Sequence, residues 1–298
     1  MSSTPTSSLV APGKMLGGTH YILNGPEDGD LVVCVHGIGS FYEYFTGLSE
    51  LLVGAGFRVL TYDLIGRGFS DQPSDDIKGD DPSPFGGTGH VKQLRALIEG
   101  LGLAGTRYHV IGHSMGGAIA TMYAAQNYKE IKSLVVLSPA GLMDVGVINA
   151  VRRAGVFQGI ISWSLKFNME SAWKNDFYDR RCQAATDMQA KLRVMYNHNP
   201  LSFNSFWQSV LHFPFNGIEP SIQVLEKQQV PVYVLWGKHD TAVPMRPSYE
   251  RWRNILATNP RFECHVYGHL GHGFFLEDPD HCNPMIRDFI DKYRGEAK

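Results

Sequence analysis

Residues 112–117, Gly112-His113-Ser114-Met115-Gly116-Gly117, lie between the apolar run YHVI at 108–111 and the helix-forming stretch AIATMYAAQNY at 118–128. A serine on so sharp a strand-to-helix turn takes strained backbone angles, and only small residues at Gly112 and Gly116 let the neighbouring chain pass so close. Such a turn pushes the Ser114 hydroxyl out at the top of a sheet. The helix behind it offers N–H groups and the positive end of its dipole to a developing oxyanion. Strand, exposed serine and helix in that order predict an α/β chain with a nucleophile at Ser114.

Outward from this turn, short runs rich in Val, Leu and Ile recur at Leu31–Val35, Phe57–Tyr62, Leu134–Leu137, Pro231–Trp236 and Phe262–Tyr267. Near-continuous apolar runs suit strands buried on both faces of a parallel sheet. Helical patterns at His90–Leu101, Met115–Tyr128, Arg246–Leu256 and Asp280–Tyr293 alternate with them or follow them. This order predicts an α/β fold with a mostly parallel central sheet flanked by helices. The alternation breaks between about 141 and 229, a stretch rich in Phe and Trp from Phe157 to Phe215 with no β-type run. The expected organisation is therefore a flexible arm at 1–20, a core at 21–140 and 230–298, and a helical lid at 141–229, with a second helical domain that takes no part in the chemistry as the alternative for that insertion.

A serine hydroxyl needs a base, and the base needs an orienting acid, in the chain order Ser, acid, His. The run PVYVLWG leads into Lys238-His239-Asp240, which sets Asp240 at a strand's carboxyl end, where α/β sites gather. The run ECHVY leads into Gly268-His269-Leu270-Gly271-His272-Gly273. His272 is the favoured base, because the segment after it runs straight into the last helix and would hold the loop against the sheet. His269 is the alternative base and Asp144 the alternative acid. A second oxyanion donor should come from the loop after another central strand, and Val35-His36-Gly37-Ile38-Gly39-Ser40 follows LVVCV. The expected donors are the backbone N–H groups of Ile38 and Met115. His36 is read as a structural residue, and Asp63 and Arg67 as packing under the site.

Composition narrows the function. The chain has 298 residues, 43% hydrophobic and 19% charged, enough to bury a large core without the apolar runs of a membrane protein. Its 27 Lys and Arg against 29 Asp and Glu leave a net charge of -2, so no basic field exists to attract nucleic acid. The four cysteines are scattered without a CxxC pair, and no HExxH or zinc-type spacing accompanies the histidines. Neither a disulfide framework, a metal nor a cofactor is expected. The Ser-rich first 20 residues lack a secretory apolar core, so the expected location is cytoplasmic, with an organellar transit peptide as the alternative.

The motifs HGIG at 36–39, DLIGRGFSD at 63–71, GHSMGG at 112–117, HDTAVP at 239–244 and GHGFFLEDP at 271–279 together resemble the α/β-hydrolase superfamily. The resemblance runs from about Gly18 to Tyr293. It implies a triad of Ser114, Asp240 and His272, an oxyanion hole at Ile38 and Met115, and a lid in the insertion. Ser114 stands where epoxide hydrolases and haloalkane dehalogenases carry Asp. Carbon–carbon bond hydrolases commonly show Asn before the serine and Trp after the histidine, where this chain has His113 and Gly273. The elbow is most similar to the esterase and monoacylglycerol lipase-like group, which implies hydrolysis of a small-molecule carboxylic ester, and the aromatic content of the insertion suggests a hydrophobic pocket for an acyl chain or aromatic acid. A carbon–carbon or thioester hydrolase with the same triad, and a ligand receptor built on the fold, are the competing readings.

Overall fold

A computed structural model describes residues 12–73 and 83–295, without the side chains of residues 167 and 170–172. Eight strands form one sheet: β1 (Lys14–Leu16), β2 (Thr19–Asn24), β3 (Leu31–Val35), β4 (Arg58–Tyr62), β5 (Tyr108–His113), β6 (Ile131–Leu137), β7 (Val232–Gly237) and β8 (Phe262–Tyr267). Their order is β1-β2-β4-β3-β5-β6-β7-β8. β1 and β2 pair antiparallel, as do β2 and β4, and every other pair is parallel. All residues of β3, β5, β6 and β7 are buried, which is what layers on both faces of a parallel sheet require.

Those layers are helical. In chain order the helices are α1 (Thr46–Gly54), α2 (Gly87–Gly100), α3 (Met115–Gln126), α4 (Gly146–Arg153), α5 (Gln158–Trp173), α6 (Gln183–His198), α7 (Ser202–His212), α8 (Glu219–Lys227), α9 (Met245–Ile255), α10 (Phe274–Glu277) and α11 (Pro279–Asp291). Side chains alternate across β3, so Val33 and Val35 join Leu94 of α2, Ile119 of α3, Ile222 of α8 and Trp252 of α9. Val32 and Cys34 point the other way, onto Leu52 of α1 and Phe289 of α11. Because β3, β5, β7 and β8 are parallel, the loops after them, carrying Ile38, Ser114, Asp240 and His272, leave the same edge of the sheet.

Two expected boundaries differ. The arm proposed for 1–20 enters the sheet at Lys14, because Gly17 and Gly18 take φ of 54° and 76° and close a two-residue hairpin between β1 and β2. The insertion proposed for 141–229 ends one helix early, since Ile222 and Leu225 of α8 pack in the main core beside α3. Residues 146–212 carry α4 to α7, with a small apolar cluster of Met169, Phe203 and Trp207 of their own. Residues 1–11, 74–82 and 296–298 lie outside the described residues.

Candidate active site

Ser114 sits between β5 and α3 at φ 58° and ψ −124°. The conformation is sterically costly for a residue with a Cβ, and here backbone bonds impose it. Its N–H donates to the Leu137 carbonyl at 2.9 Å, and its own carbonyl accepts from Gly117 and Ala140 at 2.9 and 3.0 Å. The flanking glycines are needed for space rather than freedom. A Cβ on Gly112 would stand 2.3 Å from the Gly116 carbonyl oxygen, and one on Gly116 only 2.1 Å from that of Val35.

His272 Nδ1 donates to Asp240 Oδ2 at 2.7 Å, and both residues are buried. The other carboxylate oxygen, Oδ1, accepts from the Ala242 and Val243 N–H groups at 2.9 and 2.8 Å, which locks the acid in its turn. Burial by itself would pull the His272 imidazolium down. The charge and hydrogen bond of Asp240, helped by the charge of Asp176, outweigh it and raise the pKa above 6.5. His113 Nε2 donates to the His272 carbonyl at 3.1 Å and its ring stacks on Tyr44 at 4.9 Å. Burial, with His272 beside it, holds His113 well below 6.5 and therefore neutral.

The loop after β3 is fixed by side chains beneath it. His36 Nδ1 donates to the Gly37 carbonyl at 2.8 Å while Nε2 accepts from the Leu64 N–H at 2.9 Å. This bonding suits a neutral ring, and burial pushes its pKa down to about 4. The Gly37 carbonyl and the Ile38 N–H share one planar trans peptide, so anchoring the carbonyl on His36 aims the N–H the opposite way. Arg67, fully buried, donates to the carbonyls of Ile38, Ile65 and Ser205 and to Ser209 Oγ. Gly37 backs directly onto the serine: a Cβ there would be 3.2 Å from Ser114 Cβ.

A cavity of about 430 Å³ opens over these groups, lined by Ile38, Ser114 and His272 together with Met143, Ile148, Leu165, Met169, Trp173, Leu192, Phe206, Val210 and Phe215. The inserted helices α4 to α7 supply a large share of its apolar wall. Of the insertion's aromatic residues, Trp173, Phe206 and Phe215 face the cavity, while Phe157 and Trp163 are exposed. Phe177 and Phe213 join the main core clusters. The side chain of Phe167 lies outside the described ones.

The residues expected at the site are thus brought together, apart from the two alternatives. His269 is exposed, about 6 Å from the rings of Tyr178 and His239, and does not line the cavity. Asp144 is exposed and accepts from the Gly146 N–H at 2.9 Å in the turn that leads into α4. Met115 is fully buried, and as the first residue of α3 its N–H has no partner within the helix. Among the described residues, no group of three or more His, Cys, Asp or Glu could hold a metal ion. No described helix is long and apolar enough to cross a membrane.

Two functional candidates escape a reading of the sequence. Asp176, from the turn after α5, lines the cavity and accepts from the Tyr44 hydroxyl at 3.4 Å. Burial, eased by His272 but reinforced by Asp240, pushes its carboxyl up to about 6. Glu277 accepts three backbone N–H groups, from Gly271 and Tyr178 at 3.0 Å and from Asp179 at 2.7 Å. In KNDFYD at 174–179 nothing marks Asp176 as different from a solvated acid.

A strained serine over a helix terminus, a paired His and Asp, and an apolar cavity on the carboxyl edge of a parallel sheet define an α/β-hydrolase arrangement. A family model described as alpha/beta hydrolase fold matches residues 30–279, and the chain belongs to that family. It is 26% identical over 238 residues to lipase 3 of Moraxella sp., covering 79% of this chain and 69% of that one. It is also 26% identical over 270 residues to a 2-hydroxy-6-oxononadienedioate/2-hydroxy-6-oxononatrienedioate hydrolase of Paraburkholderia xenovorans, covering 89% and 88%. The solved esterase of Exiguobacterium antarcticum shares the fold at a TM-score of 0.72 and 18% identity, covering 92% of this chain and 95% of the other. The chain is a member of a hydrolase family whose relatives include both lipases and carbon–carbon bond hydrolases.

Proposed function

We propose that this chain is a serine hydrolase of carboxylic esters with a hydrophobic acyl group, acting through an acyl-enzyme. The observation that carries this reading is the cavity wall. It is largely apolar, no Lys or Arg stands among its described residues, and its one carboxylate beyond the catalytic centre is Asp176. The relative from Paraburkholderia xenovorans is named for dicarboxylate substrates. A dianion brought against Asp176 with no cation to receive it would be desolvated and repelled. A neutral ester loses little on entering the same space.

In this reading Ser114 Oγ attacks the ester carbonyl as His272 takes its proton. The oxyanion rests on the N–H groups of Ile38 and Met115, the former aimed by the His36–Gly37 bond and the latter at the α3 terminus. His272 then returns the proton to the departing alcohol, and a water deprotonated by His272 releases the acid. Asp240 holds Nδ1 protonated throughout and stabilises the imidazolium. The helices α4 to α7 act as the lid that supplies the acyl pocket.

The test is hydrolysis of p-nitrophenyl esters from acetyl to palmitoyl by the wild type and by Ser114→Ala, with fluorophosphonate labelling. The expected result is an optimum at one chain length and a loss of about 10⁵–10⁶ in turnover in the variant. Labelling of Ser114 with no ester turned over would move the chain to the carbon–carbon or thioester class. Absence of both would point to a receptor.

A further inference from the structure

The cavity is not uniform. Where the wall nears His272 it changes from Met, Leu, Ile and Phe to Asn175, Asp176 and Thr241. Thr241 Oγ1 donates to the Asn175 carbonyl at 3.1 Å, and the Asp176 carbonyl accepts from the Gly273 N–H at 2.6 Å, so this polar end is stitched to the loops on either side of the catalytic pair. The Asp176 carboxylate has the Tyr44 hydroxyl as a long hydrogen-bond partner, and among the described residues no Lys or Arg pairs with it. The charged or titratable groups facing it are His272, Asp240 and Tyr44. A carboxylate offers about four lone-pair positions, so this one has acceptor capacity left for a ligand.

The reaction places the leaving alcohol at this end, because the group that must protonate it is His272. We propose that Asp176, with Asn175 and Thr241, forms a leaving-group subsite that takes alcohols bearing a further hydroxyl or ammonium group and rejects anionic ones, with Asp176 the specificity-determining residue. The proposal rests on the ester-hydrolase reading and adds to it the class of alcohol. A donor on the alcohol satisfies a carboxylate that is only partly exposed to bulk water, whereas a second anion would share that space uncompensated. The acyl chain would then take the apolar remainder of the wall, which includes Met169, Phe206 and Phe215.

The experiment compares octanoyl esters of choline, glycerol, propanol and glycolate, with p-nitrophenyl octanoate as an ester whose leaving group carries no donor. Values of kcat/KM at pH 8 are measured for the wild type, Asp176→Asn and Ser114→Ala. The wild type is expected to prefer the choline and glycerol esters over the propyl ester, and to favour choline over glycolate by about 10²-fold. In Asp176→Asn, nearly isosteric and checked for folding by fluorophosphonate labelling, the choline-to-glycolate ratio should fall at least tenfold. A structural role alone would lower all the esters together and leave the ratio intact, which would overturn the subsite. A wild type that handles choline and glycolate alike overturns it without recourse to any variant. Failure to hydrolyse any ester, p-nitrophenyl octanoate included, would instead overturn the ester reading beneath it.

Discussion

Ser114 and Gly116 show how little room the site leaves at the scale of single residues. A Cβ at Gly116 would meet the Val35 carbonyl, which belongs to a central strand and cannot rotate away. Gly116→Ala must therefore displace the start of α3, at about 1–3 kcal/mol of stability. A lowered Tm together with slower fluorophosphonate labelling of Ser114 is the expected pair of results. For His272 the sign of the pH effect follows from its role as base. The attacking step needs the neutral ring, and its pKa is raised above 6.5, so kcat/KM should fall as pH drops and the acidic limb should sit above 6.5. Asp176 is one of the charges that raise it, so Asp176→Asn should move that limb to lower pH. A wild-type limb at or below 6.5 would contradict the pairing.

The connection between the insertion and the catalytic loop works at the scale of elements. Segment 175–179 runs from the end of α5 toward α6, and Glu277, in α10, ties it to the histidine loop through bonds from Gly271, Tyr178 and Asp179. Gly271 has the close approach that this strap needs, since a Cβ there would stand 2.6 Å from the Tyr178 nitrogen. Glu277→Ala removes acceptors for three N–H groups on both sides of the contact. We expect kcat to fall by about 10–10² with a smaller change in KM, because the histidine is misplaced more than the acyl pocket is. Hydrogen exchange at 175–180 should quicken in the same variant. Unchanged exchange there would mean that the strap is held by other bonds.

Across the whole molecule, the layer beneath the site is secured by a buried ion pair that takes no part in the chemistry. His20, in β2, donates from Nδ1 to Asp63 Oδ2 at 2.8 Å and from Nε2 to the Pro12 carbonyl at 2.7 Å. Both partners are acceptors, so the bonding requires the doubly protonated ring. Although burial opposes that charge, the hydrogen bond and charge of Asp63 raise the pKa. Asp63 also accepts from the Tyr42 and Phe69 N–H groups at 2.8 and 3.0 Å, joining β2, the loop after β3 and the turn at 63–71. His20→Ala leaves a buried carboxylate without its cation, at about 3–5 kcal/mol. A raised folded-state pKa means that the pair's stabilisation is complete below the unfolded value near 6.5 and is lost as pH rises through the folded one. Denaturation midpoints should fall with rising pH above neutrality in the wild type, and less so in His20→Ala.

The elbow at 112–117, the six central strand runs and the positions of Asp240 and His272 could be read directly, because each is a local pattern. Buried parallel strands need continuous apolar runs, and a residue at a strand's end is placed by the strand. The hairpin of β1 and β2 was legible only through Gly17-Gly18, since an edge strand with exposed Lys14 and Met15 carries no apolar run. Fold class, the serine, and a short choice of partners for it, Asp240 or Asp144 and His272 or His269, were thus determined by the sequence alone, whereas the pairing of His272 with Asp240 was decided by the tertiary structure. Whether Asp176 faces a cavity or water, which aromatic residues of the insertion line it, and which two chain segments Glu277 joins were decided only by tertiary structure. These depend on contacts between residues as much as 132 positions apart, as Tyr44 and Asp176 are, and a side chain's local pattern is the same whichever neighbour the fold brings to it.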